Sequence, residues 1–184
     1  MASQNNSLGY IIIEGTESQI RGAALVTDVK GFPLDFARTD PLRPDALARI
    51  LYGESFGKYA KEKLILESLL DAIEIQPQLW ICNDGDLLAP LRITSKIKTV
   101  MLDESPHVPL DAPGHVETTA EPGVFFMQAD PSGAPLRAEF PDGTRPEEVQ
   151  QVAACLAEAA ASMVILEPFN RLQKALNFLA TGRS

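Results

Sequence analysis

Both histidines of the chain fall in one stretch, Asp103-Glu104-Ser105-Pro106-His107 running through Asp111 to His115-Val116-Glu117, in the company of four carboxylates. Imidazole and carboxylate ligands suit divalent ions of the zinc or iron class, so a metal-dependent hydrolase working through His107–Glu117 is one reading. Metal motifs set their ligands at helical or tight-turn spacing so that the backbone fixes them. Here Pro109 and Pro113 separate His107 from His115, and the segment fits no regular element. A solvated loop with incidental histidines is therefore favoured, and no metal or cofactor is expected.

Cys82 stands where a strand passes into a loop, a place where active-site thiols occur. Its neighbours Asp84 and Asp86 would raise a thiol pKa, which argues for a core cysteine over a nucleophile. With His107, His115, Asp103 and Glu104, Cys82 completes the catalytic candidates. No Gly-x-Ser-x-Gly elbow, GxGxxG or GxxxxGK[ST] is present, so neither a serine hydrolase elbow nor a phosphate cradle is legible. Asn83-Asp84-Gly85-Asp86 has calcium-loop composition, but no twelfth-position glutamate follows it, and a turn accounts for it.

The elements that would position these groups follow from periodicity. Tyr10–Ile13 and Ala23–Thr27 read as strands, and Val29-Lys30-Gly31 supplies the turn of a hairpin that returns through Phe32–Phe36. Pro33 belongs at a strand start or on an edge, and Phe32 and Phe36 are expected in the core. Helices are expected over about Asp45–Tyr52 and Lys58–Ile75; in the second, Ile65, Leu69 and Ile73 recur at i+4. Leu79–Cys82, Leu87–Thr94 and Ile97–Leu102 read as three strands of a meander. Residues 103–146 carry eight prolines, with strands only at Gly123–Gln128 and Leu136–Phe140. Thr144 is a candidate N-cap for a helix to about Met163. Beyond Pro168, a stripe of Phe169, Leu172, Leu176 and Leu179 is either core or a partner seam, and Gly182 ends that helix.

These elements give an α+β fold with a mixed or antiparallel sheet, helices packed on one side, a Pro-rich irregular segment and a C-terminal helical pair. One domain is expected over 1–184, built from a hairpin, helices and meander (1–102), the Pro-rich segment (103–146) and C-terminal helices (147–181). The chain has 16 basic and 25 acidic residues, a formal charge of −9. A field of that sign repels phosphate backbones and anionic lipid, so no nucleic-acid or membrane partner is expected. The basic residues Lys58, Lys61, Lys63, Lys96 and Lys98 are diluted by Glu62, Glu67 or apolar neighbours and read as solvated faces. The leader MASQNNS lacks a signal-peptide pattern, no apolar run approaches the ~20 residues of a membrane span, and two isolated cysteines suit a reducing compartment, so a cytoplasmic location is expected.

The hairpin Gly22-Ala23-Ala24-Leu25-Val26-Thr27-Asp28 with Gly31-Phe32-Pro33-Leu34 resembles the D-x-x-G strand–turn–strand of profilin-like, Roadblock/longin-type regulatory domains. Taken with Arg49-Ile50-Leu51-Tyr52-Gly53 and Leu166-Glu167-Pro168-Phe169, it also looks like a family of small bacterial proteins. Two consecutive helices and the Pro-rich third quarter depart from Roadblock domains, so no functional residue is carried over. The expectation is a non-enzymatic interaction or adaptor subunit of a cytosolic bacterial complex, with a protein partner or a second copy docking through Arg38, Arg43, Tyr52, Phe56 and the stripe Phe169, Leu172, Leu176 and Leu179. The alternatives are the metal-dependent hydrolase above and a small-ligand regulatory sensor.

Overall fold

Strand β1 (Ser7–Thr16) is buried on both of its faces from Ser7 to Ile13, the condition of a central strand covered from two sides. It pairs antiparallel with β2 (Gln19–Asp28) and parallel with β4 (Leu79–Cys82). The structure, a computed structural model, describes residues 6–16 and 18–182; most of the polar leader lies outside them. The chain is α+β with an eight-stranded mixed sheet in the order β3 (Pro33–Arg38), β2, β1, β4, β5 (Lys98–Asp103), β8 (Leu136–Glu139), β7 (Val124–Met127), β6 (Val116–Thr118).

The hairpin between β2 and β3 (Pro33–Arg38) forms as its turn chemistry requires. The Asp28 carboxylate accepts the N–H groups of Lys30 (2.8 Å) and Phe32 (2.9 Å), while Gly31 takes a φ of 81°, where a side chain would be strained. Pro33 opens the outermost strand, beside a bulge at Val26/Thr27. Phe32 and Phe36, expected in the core, are 64% and 43% exposed, because an edge strand has only partial cover.

Helix α1 (Ala46–Tyr52) starts at Asp45, whose side chain accepts the Ala48 N–H. A 3₁₀ turn (Gly53–Ser55) leads into α2 (Phe56–Tyr59), a π-helical stretch (Ala60–Leu66) and α3 (Glu67–Ala72). The expected three-stranded meander is corrected. Leu87–Thr94 lies in helix α4 (Gly85–Ser95), capped by Asp84, so that β4, α4 and the parallel strand β5 (Lys98–Asp103) form a βαβ unit. Leu87, Leu88 and Leu91, at i, i+1 and i+4, are the buried face of that helix.

The Pro-rich segment contributes three strands to the same sheet, β6 (Val116–Thr118), β7 (Val124–Met127) and β8 (Leu136–Glu139). β6 takes up the end of the stretch expected to be loop. The C-terminal pair is α5 (Pro146–Ala160) and α6 (Glu167–Ala180). Arg145 occupies the α5 N-cap position, and the Thr144 hydroxyl donates instead to Pro141 O at 2.7 Å.

Helices cover both faces of the sheet, where one was expected. Leu8, Tyr10, Ile12, Ile81, Val100 and Leu102 meet α5 and α6 in one apolar cluster. Ile11, Ile13, Ala24, Trp80 and Cys82, pointing the other way, meet the 56–73 helical run and α4 in a second. Among the described residues no helix is long and apolar enough to cross a membrane.

Candidate functional site

From their carboxyl ends β1 turns back into β2 on one side, while β4 runs through α4 to β5 on the other. In open sheets the ligand crevice lies where neighbouring parallel strands send their connections apart. At this point the sequence places Asp84, two residues beyond β4. Its Oδ1 accepts the Asp86 N–H at 3.0 Å and caps α4, and its Oδ2 accepts the Lys61 ammonium at 3.1 Å. The pair is half-buried, with 29% and 30% of the two side chains exposed, so its attraction is only partly screened.

Beside the pair, a cleft of about 670 Å³ opens between the 57–63 segment and α4. Lys58, Lys61 and Lys63 line one wall with Glu62; Asp86, Ala89, Pro90, Ile93 and Thr94 line the other. Lys61 and Lys63 are delivered by the π-helical stretch, a distortion that recurs at functional sites because it re-aims side chains. Lys58 lies 3.8 Å from Glu62, and Lys63 donates to Glu67 at 2.9 Å, a hydrogen bond that raises the lysine pKa. Three ammonium groups face two carboxylates in the lining. With Asp84 and Glu67, which hold Lys61 and Lys63 from outside the lining, four carboxylates stand against the three lysines, so the cleft offers ammonium groups without a net positive charge.

The metal reading finds no donor set. Among the described residues no three His, Cys, Asp or Glu side chains stand where they could hold an ion. His107 lies against Phe126, ring centroids 4.4 Å apart, with Nδ1 2.9 Å from Val108 O. His115 faces Asp111 at 3.7 Å. The Asp103 carboxylate accepts the Glu104 N–H at 2.8 Å, a local contact. Burial pushes the Cys82 thiol up to about 12, so it stays protonated and inert at neutral pH.

The interaction candidates are dispersed. Arg38 pairs with Asp40 at 3.0 Å, and Arg43 donates to Gln19 at 3.2 Å. Tyr52 stacks on Tyr59 at 4.5 Å and meets the buried Phe56 edge-on. In the C-terminal stripe, Leu172 and Leu176 are fully buried and Phe169 packs edge-on against Tyr10 at 5.4 Å, while Leu179 is 40% exposed. All but its last residue is core. The cleft is hidden in the sequence because Lys58, Lys61 and Lys63 have Glu62 and Glu67 among their chain neighbours. The available signal was an Asp cap ahead of helically spaced leucines, which would have put the Asn83–Asp86 segment between a strand and a helix.

No family model matches the chain, and no curated protein matches it in sequence. Solved structures do. Endonuclease V from Streptomyces avermitilis aligns over 96% of this chain and 84% of its own, with a TM-score of 0.62 and 12% identity. The fold resembles that of endonuclease V. The Bacillus subtilis protein gives 0.63 at 8% identity over 96% and 82%. The Ciona intestinalis enzyme, solved with an inosine-containing 24mer DNA, gives 0.54 at 10% over 95% and 87%.

These likenesses correct three expectations. The resemblance to Roadblock/longin-type domains stops at the hairpin, since the fold follows endonuclease V over nearly the whole chain. The non-enzymatic, protein-binding adaptor gives way because the structural neighbours are nucleases, which fit the hydrolase alternative better. The exclusion of nucleic acid, argued from net charge, conflicts with a neighbour captured on DNA.

Proposed function

We propose that this chain acts on nucleic acid, as a hydrolase of the endonuclease kind, at the cleft between the 57–63 segment and α4. The observation that carries the reading is a fold held in common with endonucleases over 96% of the chain. The position of the lysine-lined cleft beside the carboxyl end of β4 supports it. Lys58, Lys61 and Lys63 engage phosphate oxygens, and the exposed Asp86 carboxylate is the group placed to take a proton from an attacking water. The chain acts as one unit in the cytoplasm, where Cys82 and Cys155 stay as free thiols.

The test is direct. Labelled single- and double-stranded DNA and RNA, with and without inosine, are titrated with protein at low and physiological salt and then examined for strand scission. Expected are binding that weakens steeply with salt, as lysine–phosphate contacts require, and scission lost in Asp86→Asn with binding retained. The absence of both binding and scission on all of these substrates at low salt overturns the proposal.

A further inference from the structure

Hydrolases of phosphodiesters commonly neutralise the phosphate with divalent ions held by carboxylates, and three carboxylates, Glu62, Asp84 and Asp86, lie in or beside this cleft. They do not form an ion site. Among the described residues no three donors converge, and two of these three carboxylates already stand against lysines. Asp84 directs one oxygen to the Asp86 N–H and the other to the Lys61 ammonium, and Glu62 faces Lys58. A hard divalent cation needs several oxygen ligands with at least one or two free carboxylates. Here it would meet lysines at Asp84 and Glu62, which leaves Asp86 alone and short of the ligands it needs.

We infer that Lys61 is the resident cation of this cleft: its ammonium occupies the place at Asp84 that a divalent ion would take, and presents phosphate with a charge fixed to the chain. The geometry carries this. Asp84 is anchored as the cap of α4, so Lys61 is held from a rigid element, and Lys61 also lines the cleft where a phosphate would enter. Asp84 is thus a positioning residue, orienting Lys61 without lining the cleft itself. That phosphate belongs to nucleic acid rests on the function proposed above; the exclusion of the ion does not.

Two measurements separate these. Equilibrium dialysis of the full chain against Mn²⁺ reads the ion, and anisotropy of a fluorescein-labelled oligonucleotide reads phosphate, in EDTA and in Mg²⁺ at matched ionic strength. The expected results are no stoichiometric Mn²⁺ on the wild type and an oligonucleotide affinity the same in both buffers within about twofold, with the charge supplied by lysine. Lys61→Met weakens oligonucleotide binding roughly tenfold, one charge-assisted contact, and Lys61→Arg restores most of it. Melting by circular dichroism confirms that each variant is folded; should Lys61→Met not fold, Lys61→Gln replaces it. Stoichiometric Mn²⁺ that disappears in Asp84→Asn, or binding that requires Mg²⁺, overturns the inference. If no oligonucleotide binds in either buffer, the nucleic-acid reading fails, and the dialysis still decides the ion: absent Mn²⁺ upholds Lys61 at Asp84, and bound Mn²⁺ refutes it.

Discussion

Against one face of the sheet α5 and α6 lie flat, and Val149, Val152, Leu156, Leu172 and Leu176 close an apolar core with β1, β4 and β5. Against the other, α1 buries no side chain and the helices behind it leave a cleft of about 670 Å³ walled by lysines. The same central strands serve both, through alternate side chains. Apolar closure on one side gives the sheet its rigidity, so the incomplete cover of the other can hold a polar opening without loss of the fold. The contrast can be broken, or made sharper, by changing one face at a time.

The largest effect comes from the closed face. Truncation after Met163 removes α6 with the buried Leu172 and Leu176 and the Phe169 that packs on Tyr10. Each buried leucine is worth about 2–5 kcal/mol, and their sum matches the ~5–15 kcal/mol stability of a whole domain. The truncated chain is expected to show no cooperative melt by circular dichroism. A truncated chain that melts cooperatively near the full-length temperature would make the stripe an interface and dissolve the contrast between faces.

Alkaline pH addresses both faces, since each holds one thiol. Burial raises Cys82, on the cleft side, from 9.0 to about 12, and Cys155, on α5, from 9.0 to about 11. Both groups are neutral when protonated, so the unfolded chain ionises first. Stability is intact below pH 9 and falls as pH rises, through about 11 for Cys155 and about 12 for Cys82, by on the order of 1 kcal/mol per pH unit per thiol. Urea midpoints followed upward from pH 8 should decline, and Cys82→Ala should flatten the decline more than Cys155→Ala. Equal flattening would mean the cleft-side core is no drier than the α5 side.

Gly9 gives a smaller effect on the cleft side alone. A Cβ there would stand 2.5 Å from the Trp80 ring and 2.6 Å from the Pro77 ring, both held in place by packing around the fully buried indole. Gly9→Ala is expected to cost about 1–3 kcal/mol, the usual toll of overpacking, measured as a shift in urea midpoint. A neutral substitution would show that this core yields more readily than the α5–α6 side.

What the sequence discloses follows from the range of the interactions involved. The β2–β3 hairpin is legible because its determinants, Asp28, Gly31 and Pro33, lie within six residues and act on their own backbone. The helical run ending in Ile65, Leu66 and Leu69 is legible because its apolar spacing is local too. Helix α4 is hard to see in the sequence because Pro90 sits inside it and Ile93-Thr94 are β-branched, while its decisive element, the Asp84 cap, has the composition of a turn. The cleft is not legible. It joins Lys58, Lys61 and Lys63 to Asp86, Pro90 and Ile93 across a strand and a crossover, so that charges diluted along the chain are gathered in space. The histidine cluster errs in the opposite sense: neighbours in sequence, His107 and His115 find unrelated partners in Phe126 and Asp111.

The smallest effect concerns α1, the outermost element of the open face. Leu47, Ile50 and Leu51 are 62%, 77% and 71% exposed, and no side chain of this helix is buried. Its start is fixed by the Asp45 cap, so loss of an exposed apolar side chain removes little. Ile50→Ser is therefore expected to change the unfolding free energy by less than about 0.5 kcal/mol, as for other surface positions. The same substitution at Leu172 should cost several times as much, because it also buries a hydroxyl without a partner. Urea denaturation of the two variants side by side measures the difference between the faces. Comparable losses would mean that α1 is packed in solution and that the face is closed there.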